Sequence, residues 1–321
     1  MKKIIFYSII ALLAISFGAC NDEWTDEQYR KYVSFVRSGY SETYLNSNTT
    51  DGVIHYKIPI GISGSVTNDR DVTVTIELDP DTLVDYNYAM FYRRDDLFFR
   101  LLNEQHYSFP KGKTVTIPAG ENVACIDIDF KLEGLDLVEK YILPLAIVST
   151  SEYEPSPVKW YKKTLMRIIP FNYFSGTYSA GAATIKEEDD TTPTSVATRE
   201  MRVVSDSVVF FYAGLCEEDA RDRATYKVRV QFNADNTLSF TADSAKIDFT
   251  AEPSTWSINE EMDALQPHLM IRTVTMDLKY SYKDVTNPSY EVKYNLAGSY
   301  TLERRRNIQI PEEDQQEIFE W

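Results

Sequence analysis

Apolar and polar residues alternate with a period of two along most of the chain after residue 32. In the first half the alternation runs through residues 54–60, 72–78, 124–132 and 141–147. Successive side chains of a β-strand point to opposite faces of the sheet, so one-sided alternation indicates antiparallel sheets with one face in a core and one in water. Pro144, inside the last of these stretches, is typical of an edge strand. The pattern predicts an all-β protein.

The second half repeats this alternation at shorter intervals, in residues 226–232, 238–240, 274–282, 290–296 and 300–302. Residues 233–237, Asn-Ala-Asp-Asn-Thr, have the composition of a hairpin turn. Several strands at this spacing predict an antiparallel sandwich or an up-and-down barrel of lipocalin-like kind. Four tyrosines fall in phase with the core positions, which favours a barrel filled by their rings over a cavity lined for sugar: Tyr280, Tyr282, Tyr290 and Tyr294.

Residues 83–102 break the period of two. Their apolar side chains recur at helical spacing, with Arg93, Arg94, Asp95 and Asp96 between them. We therefore predict one or two short helices inserted between strands of the first half, covering an open end of a sandwich.

The first twenty residues have the pattern of a bacterial lipoprotein signal peptide. Lys2 and Lys3 precede an apolar run from residue 4 to residue 17, and small residues occupy the two positions before Cys20. An uncleaved membrane anchor is the alternative, but a spanning helix needs about 20 apolar residues and this run is shorter. We therefore expect a mature protein that begins at a lipid-modified Cys20 and is held on a membrane surface outside the cytoplasm.

Composition and charge reduce the number of functional classes to which the protein can belong. The chain has 33 Lys plus Arg against 49 Asp plus Glu, a formal net charge of −16, which argues against nucleic acid because phosphate binding needs clustered cations. Besides Cys20 there are two cysteines, Cys125 and Cys216, without the spacing of a disulfide framework or a metal knuckle, and we expect both to be unpaired. The 22 tyrosines suit a pleated surface.

Four segments of the first half together resemble a known domain. They are Val72-Thr-Val-Thr-Ile-Glu-Leu-Asp, Asp85-Tyr-Asn, Val115-Thr-Ile-Pro-Ala-Gly and Tyr141-Ile-Leu-Pro-Leu. Over residues 32–168 the chain resembles the immunoglobulin-like domain at the N-terminus of Bacteroidetes outer-membrane lipoproteins encoded in polysaccharide-utilisation loci. The second half resembles the all-β domain that often follows it. The resemblance implies a β-sandwich, a cell-surface location and glycan capture beside SusC/SusD-like transporter components, and it carries no catalytic residues. Asn21-Asp22-Glu23 resembles the signal that exports such lipoproteins to the outer leaflet of the outer membrane.

These observations give a domain organisation with a boundary near Pro170, where a new strand begins. The predicted parts are a signal peptide (1–19), a lipid-anchored tether (20–31), an immunoglobulin-like β-sandwich with a short helical insertion (32–170), a C-terminal antiparallel β-barrel or sandwich (171–308) and an acidic tail (309–321).

Enzyme chemistry finds little support. The three histidines are not spaced as metal ligands, and the GxSxG, P-loop and GxGxxG motifs are absent from the sequence. Asp127 and Asp129 share the outward face of one strand, where solvated charge is a simpler interpretation than a glycosidase pair. The oxygen ligands of Asp79, Asp81, Asp85 and Asn87 lack EF-hand spacing, and a turn with a helix N-cap explains them as well as calcium does.

Aromatic side chains are the better functional candidates, because exposed rings cover the flat C–H faces of sugars. Trp256 lies among turn formers and polar residues, so we expect an exposed indole with Asn259 and Glu260 beside it as hydrogen-bonding partners. The alternative site is the segment that holds Tyr86, Tyr88 and Tyr92. The predicted function is non-catalytic glycan binding at the cell surface, without a metal or other cofactor. The alternatives are an adhesin or pilus-type structural lipoprotein and, less favoured, a glycoside hydrolase.

Overall fold

A computed structural model describes residues 26–49, 51–188 and 192–310. The signal peptide, Cys20 and the tail from residue 311 lie outside the described residues. No helix within the described ranges is both long and apolar enough to cross a membrane.

The N-terminal half is a sandwich of two curled sheets. The first sheet has the order β10-β1-β3-β8-β6, with strands β1 Tyr32–Phe35, β3 Ile54–Ile62, β6 Tyr107–Ser108, β8 Val123–Phe130 and β10 Glu154–Pro155. The second has the order β2-β11-β9-β4-β7, with β5 added beside β9; its strands are β2 Gly39–Asn46, β4 Val72–Leu78, β5 Arg100–Leu101, β7 Thr114–Ile117, β9 Tyr141–Thr150 and β11 Lys163–Phe171. The prediction that Pro144 marks an edge strand is wrong, because β9 lies between β11 and β4.

The core of the sandwich follows the alternation in the sequence. Val72, Val74 and Ile76 are fully buried between the sheets, whereas the intervening threonines face outward. Thr73 and Thr75 each lie opposite a threonine of β7, with Oγ1–Oγ1 distances of 3.3 and 3.1 Å. Burial on one face and cross-strand hydroxyl pairs on the other fix the register of β4.

The predicted helical insertion is confirmed as α1, Pro80–Phe91, followed by a 3₁₀ turn at Asp95–Leu97. Asp79 caps the helix by accepting from the Thr82 main-chain N–H at 3.4 Å, so the N-cap interpretation of the Asp79 segment holds. Across the described residues, no group of three or more His, Cys, Asp or Glu side chains is placed to hold a metal ion. Further 3₁₀ turns span Glu104–His106, Arg223–Tyr226 and Ala245–Ile247.

The predicted position of α1, over an open end of the sandwich, is wrong. Leu83 of the helix packs in a separate cluster with Ile142 of β9 and Leu165 of β11. These two strand residues alternate with the core residues Leu143 and Met166 and therefore point to the other face of the second sheet. The helix covers the outer face of that sheet.

The C-terminal half is an eight-stranded antiparallel β-barrel. Its strands are β12 Gly176–Ser179, β15 Thr198–Ser205, β16 Val208–Tyr212, β17 Lys227–Phe232, β18 Thr237–Ala242, β20 Ser254–Met262, β21 Leu269–Asp284 and β22 Val292–Asn307. Each pairs with the next, and β22 closes the ring by pairing with both β21 and β12. Three short strands lie beside this ring: β13 Thr184–Glu187, β14 Thr194–Ser195 and β19 Thr250–Ala251. The predicted hairpin turn at residues 233–237 is confirmed between β17 and β18.

One glycine lets β22 change partners. Gly298 lies between the residues that pair with β13 and the residue that pairs with β12. Its φ is +145°, and a Cβ atom there would come within 2.4 Å of the Ala182 carbonyl oxygen. A side chain at this position would therefore push the 180–183 turn off the barrel.

Tyrosine rings fill the barrel, as the phase of the pattern predicts. Tyr280 and Tyr282 are buried, and their hydroxyls accept from the main-chain N–H groups of Gly214 and Leu215, both at 3.1 Å. Tyr290 departs from the prediction. It lies before β22 begins and is 67% exposed.

The sandwich and the barrel share part of their packing. Leu137 and Val138 lie in the connection after β8, yet their side chains belong to the hydrophobic core of the barrel. Two arginines of the barrel donate to the main chain of the same connection: Arg202 to the Leu137 carbonyl at 2.7 Å and Arg223 to the Val138 carbonyl at 3.4 Å. Both guanidinium groups are buried, so these bonds fix the two halves against each other.

Candidate functional site

Trp256 does not present an exposed indole, so that part of the prediction is wrong. Its ring is half-buried and meets Phe174 and Phe232 edge to face, at centroid distances of 5.4 and 5.5 Å. The indole N–H donates to the Asn233 carbonyl at 3.0 Å. The physical reason is that β20 follows the β17–β18 hairpin and brings Trp256 over its turn. A role for Trp256 in glycan binding stays a prediction.

Asn259 and Glu260 are both exposed on β20. Glu260 accepts from Arg272 Nε at 2.6 Å, across the pair that joins β20 to β21. Asn259 is three residues from Trp256 on an extended strand, and so its side chain points to the opposite face. The structure does not bring these three predicted residues together around one ligand position.

Tyr86 belongs to the packing beneath α1. Its ring stacks on Tyr40 at a centroid distance of 5.5 Å with an interplanar angle of 8°, and Trp160 meets it edge to face at 6.4 Å. Burial raises the pKa of the Tyr86 hydroxyl. Tyr86 therefore supports the helix more than it offers a free ring.

Tyr88 and Tyr92 are the predicted aromatics that face solvent, with 60% and 73% of their surfaces exposed. Val84, which is 50% exposed, precedes Tyr88 by four residues, and this spacing places these two on one side of the helix. Tyr92 follows directly as the C-cap residue, with a φ of +56°. Phe98 supports the stripe by meeting the Tyr88 ring edge to face at 5.2 Å. We call Val84, Tyr88, Tyr92 and Phe98 the α1 face.

Charged groups border the α1 face. The Arg93 guanidinium lies over the Tyr92 ring, 5.7 Å from its centroid. Arg94 and Asp96 form an ion pair at 2.8 Å, which lowers the pKa of the Asp96 carboxyl. Asp85 is exposed one turn from the stripe. The α1 face thus combines solvent-exposed rings with hydrogen-bond donors and acceptors at its edge.

The segment that supports the α1 face is fixed at several points. The buried Asn87 side chain both donates to the Phe99 carbonyl and accepts from the Phe99 N–H, each at 2.9 Å. Arg94 donates to the Asp219 carbonyl of the barrel at 2.6 Å, and Arg223 donates to the Asp96 carbonyl at 2.9 Å. Rings held on a fixed segment lose little conformational entropy when a ligand binds.

A concave feature lies where the sandwich meets the barrel, and we call it the junction cleft. Its volume is about 240 Å³. The sandwich contributes side chains of β2 and β11, and the barrel contributes side chains of β12 and β15. The polar residues that line it include Glu42, Tyr44, Arg167, Thr177, Glu200 and Arg202.

Ion pairs organise the junction cleft. Arg167 binds the Glu42 carboxylate, and Tyr44 donates to the same carboxylate at 2.8 Å. Arg202 binds Glu218, which also receives Lys140 from the sandwich at 3.1 Å. The positive charges of the cleft are therefore largely balanced by carboxylates.

The pKa values of Glu200 and Glu218 are shifted in opposite directions. Burial and the nearby Glu218 carboxylate raise the pKa of Glu200, whereas Arg202 and Lys140 favour the ionised form of Glu218. Arg202 lies between the two carboxylates, with its Nε 3.4 Å from Glu200 and a terminal nitrogen bound to Glu218. One arginine beside two carboxyl groups favours a proton on one of them, Glu200, over a second negative charge.

Other carboxylates considered as a catalytic pair are held in surface ion pairs. Lys111 lies 2.6 Å from Asp127, and His55 lies 2.7 Å from Asp129. The sequence pattern gives no sign of the junction cleft. Glu42, Arg167, Glu200 and Arg202 occupy ordinary outward positions of strands, and only the packing of barrel on sandwich brings them together.

Comparisons with known proteins cover nearly the whole described chain. Residues 24–151 match a family model described as a domain of unknown function, DUF4973, and residues 162–301 match a second model described as a C-terminal domain. No curated protein matches the chain.

Solved structures from Bacteroides share both halves. A protein of unknown function from Bacteroides ovatus is 37% identical, with a TM-score of 0.81, over 89% of this chain and 99% of that one. A multidomain protein including DUF1735 from the same species is 36% identical, with a TM-score of 0.80 and the same coverage. An auxiliary nutrient binding protein from Bacteroides thetaiotaomicron is 29% identical, with a TM-score of 0.78, over 87% of this chain and 95% of that one. The chain therefore belongs to this family of Bacteroides multidomain proteins, in which a DUF4973 domain is followed by the C-terminal domain.

Proposed function

We propose that this protein is a cell-surface lipoprotein, anchored through Cys20 in the outer membrane, that binds glycan without cleaving it. In this proposal it holds polysaccharide or glycoprotein glycan for uptake by SusC/SusD-like transporter components. The observation that carries the proposal is the α1 face, where Tyr88, on a helix whose other side is packed, and Tyr92, at the C-cap of that helix, are exposed to solvent. The relative named as an auxiliary nutrient binding protein supports it.

The chemistry of the α1 face suits a sugar chain. The C–H faces of a pyranose are apolar and flat, and a tyrosine ring covers such a face while its hydroxyl stays in water. Ring hydroxyls of the sugar need both donors and acceptors, which Arg93, Arg94 and Asp85 supply at the border. The two residues are also joined directly, because the Tyr92 main-chain N–H donates to the Tyr88 carbonyl at 3.1 Å. Neighbouring rings let successive sugar units be contacted at once.

The test is polysaccharide binding by the form that starts after Cys20. Starch, yeast α-mannan, xylan, arabinan and pectic galactan are cast into native gels, and retardation of the protein is measured. A retarding polysaccharide should bind the Tyr88→Ala/Tyr92→Ala double variant about tenfold or more weakly, because aromatic anchors dominate such contacts. Tyr290→Ala, which removes an equally exposed ring elsewhere, is the matched control and should bind as the unaltered protein does.

Two outcomes would contradict the proposal. One is that none of these polysaccharides, nor any glycan on an array, binds the unaltered protein. The other is that the double variant binds a retarding polysaccharide with unchanged affinity.

A further inference from the structure

The junction cleft is separate from the α1 face and differs from it in shape. Where the α1 face is an open stripe, the cleft is a concavity of about 240 Å³. Pockets that enclose drug-sized ligands have volumes of roughly 300–1,000 Å³. The cleft is thus sized for one ring of a ligand and not for an extended oligomer.

The lining alternates hydrogen-bond donors with acceptors. Glu42 and Glu200 provide carboxylate oxygens, Arg202 and Lys140 provide N–H groups, and the Thr177 hydroxyl can do either. A ligand that carries several neighbouring hydroxyl groups, each both donor and acceptor, matches such a lining. Ile169, which is partly exposed, and the rims of the buried Pro170 and Phe171 add apolar surface to the same cleft, as the C–H face of a sugar ring requires.

Most charges of the cleft are already paired with each other, which disfavours a strongly charged ligand. Arg167 is paired with Glu42, and both Arg202 and Lys140 are paired with Glu218. An anion would have to displace these carboxylates, and a cation would have to displace the arginines. A neutral ligand meets neither cost.

The cleft is also organised before any ligand arrives. The Arg202 side chain is 10% exposed and is held between Glu218 and the Leu137 carbonyl. Tyr44 and Arg167 are fixed on the same Glu42 carboxylate. Groups that are already locked in position lose little freedom on binding, which favours recognition of a small ligand.

We propose that the junction cleft is a second carbohydrate site, which takes a single neutral sugar unit between the sandwich and the barrel. The class of ligand rests on the proposed function, whereas the place rests on the cleft itself. The site differs from the α1 face in that both halves of the chain contact one sugar ring.

The test titrates glucose, galactose, mannose, N-acetylglucosamine and N-acetylgalactosamine into the form that starts after Cys20, followed by saturation-transfer NMR and calorimetry. At least one should bind with a Kd in the millimolar range, about −4 kcal/mol. Thr177→Trp, which fills the cleft, should weaken that binding about tenfold or more. Ser179→Trp places the same ring on the same strand, two residues outside the lining, and should leave binding unchanged.

A second substitution keeps the test decisive if the Thr177→Trp protein does not fold. Tyr44→Phe keeps the ring but removes the hydroxyl that binds Glu42, and it should weaken the same sugar about threefold or more. Absence of binding by all five sugars, or unchanged binding in both cleft variants, overturns the second site.

The α1 variants separate this inference from the proposed function. Tyr88→Ala/Tyr92→Ala should leave monosaccharide binding intact while it weakens polysaccharide binding. If it abolishes both, the sugars bind at the α1 face, the second site is wrong and the proposed function stands. If polysaccharides fail to bind while the cleft variants weaken monosaccharide binding, the second site stands and the proposed function is wrong.

Discussion

The guanidinium of Arg202, on barrel strand β15, donates to the main-chain carbonyl of Leu137, in the connection after sandwich strand β8, at 2.7 Å. The Leu137 side chain is itself part of the barrel core. One residue of the N-terminal half therefore supplies both an acceptor for a buried arginine and apolar volume to the C-terminal half. The stability of the barrel depends on a residue far from it in the chain.

Leu137→Ala should lower the free energy of unfolding by about 2 kcal/mol. This is the low end of the range for truncating a buried leucine, because Leu137 lies at the rim of the core. Urea denaturation followed by near-UV circular dichroism, to which the packed tyrosine rings of the barrel contribute, measures the change. Leu101→Ala is the control, since Leu101 is 43% exposed and its truncation should cost about 0.5 kcal/mol or less. Equal losses for both variants would mean that Leu137 does not support the barrel.

The boundary near Pro170 gives a second prediction. Fragments of residues 24–170 and 171–310 should each fold, since each half has its own hydrophobic cluster. The Tm of the second fragment should lie further below the Tm of the intact chain than the Tm of the first fragment does. The reason is that the second fragment loses Leu137 and Val138 and the carbonyls that Arg202 and Arg223 bind. Near-UV circular dichroism of each fragment is the measurement. Two unfolded fragments from a cooperative parent would show that the halves form one folding unit.

Trp256→Ala should destabilise the barrel by about 2–3 kcal/mol, because it removes two aromatic contacts and the bond to the Asn233 carbonyl. Thermal unfolding measures the loss, and Tyr92→Ala, which truncates an exposed ring, is the control with a nearly unchanged Tm. A stable Trp256→Ala protein with weakened glycan binding would return the binding site to Trp256.

His55 should titrate with a pKa above its ordinary value, because Asp129 accepts from its ring at 2.7 Å and its charge favours the imidazolium. A raised folded-state pKa contributes stability that is full below the unfolded value of about 6.5 and is lost as pH rises through the folded value. Proton NMR of the His55 ring in Asp129→Asn should show the pKa return towards the ordinary value. An identical titration in both proteins would show that the pair does not form in solution.

Cys20→Ala should abolish lipid labelling and release the protein from the membrane fraction, since acyl chains on Cys20 are the expected anchor. Fractionation of cells fed a labelled fatty acid measures both effects, with Cys125→Ala as the control. A Cys20→Ala protein that stays in the membrane fraction to the same extent would disprove the lipoprotein assignment.

The local pattern of the sequence predicts the strands well and their partners poorly. The alternation in 72–78 matches β4, and the helical spacing after residue 83 matches α1. Both predictions depend only on residues that are close together within one strand or helix. The edge position inferred from Pro144 fails because sheet order is set by strands distant in the chain.

The candidate site shows the same difference between features set by one element and features set by distant parts of the chain. The sequence singles out Tyr88 and Tyr92 only as part of a tyrosine-rich segment, and their exposure follows from a helix that packs on one side and ends at Phe91. The burial of Trp256 depends on Phe174, more than eighty residues earlier, and the junction cleft depends on contacts between β11 and β15. Neither relationship leaves a periodic trace in the sequence.

The double pairing of β22, with β21 on one side and β12 on the other, has a consequence for the order of synthesis. The ring cannot close until Thr301, which pairs with Ser179, has left the ribosome. Until then β12 and β21 both present unpaired edges, which are the features through which strands of different chains associate. The late arrival of this strand makes chaperone protection of the two open edges most valuable for the barrel.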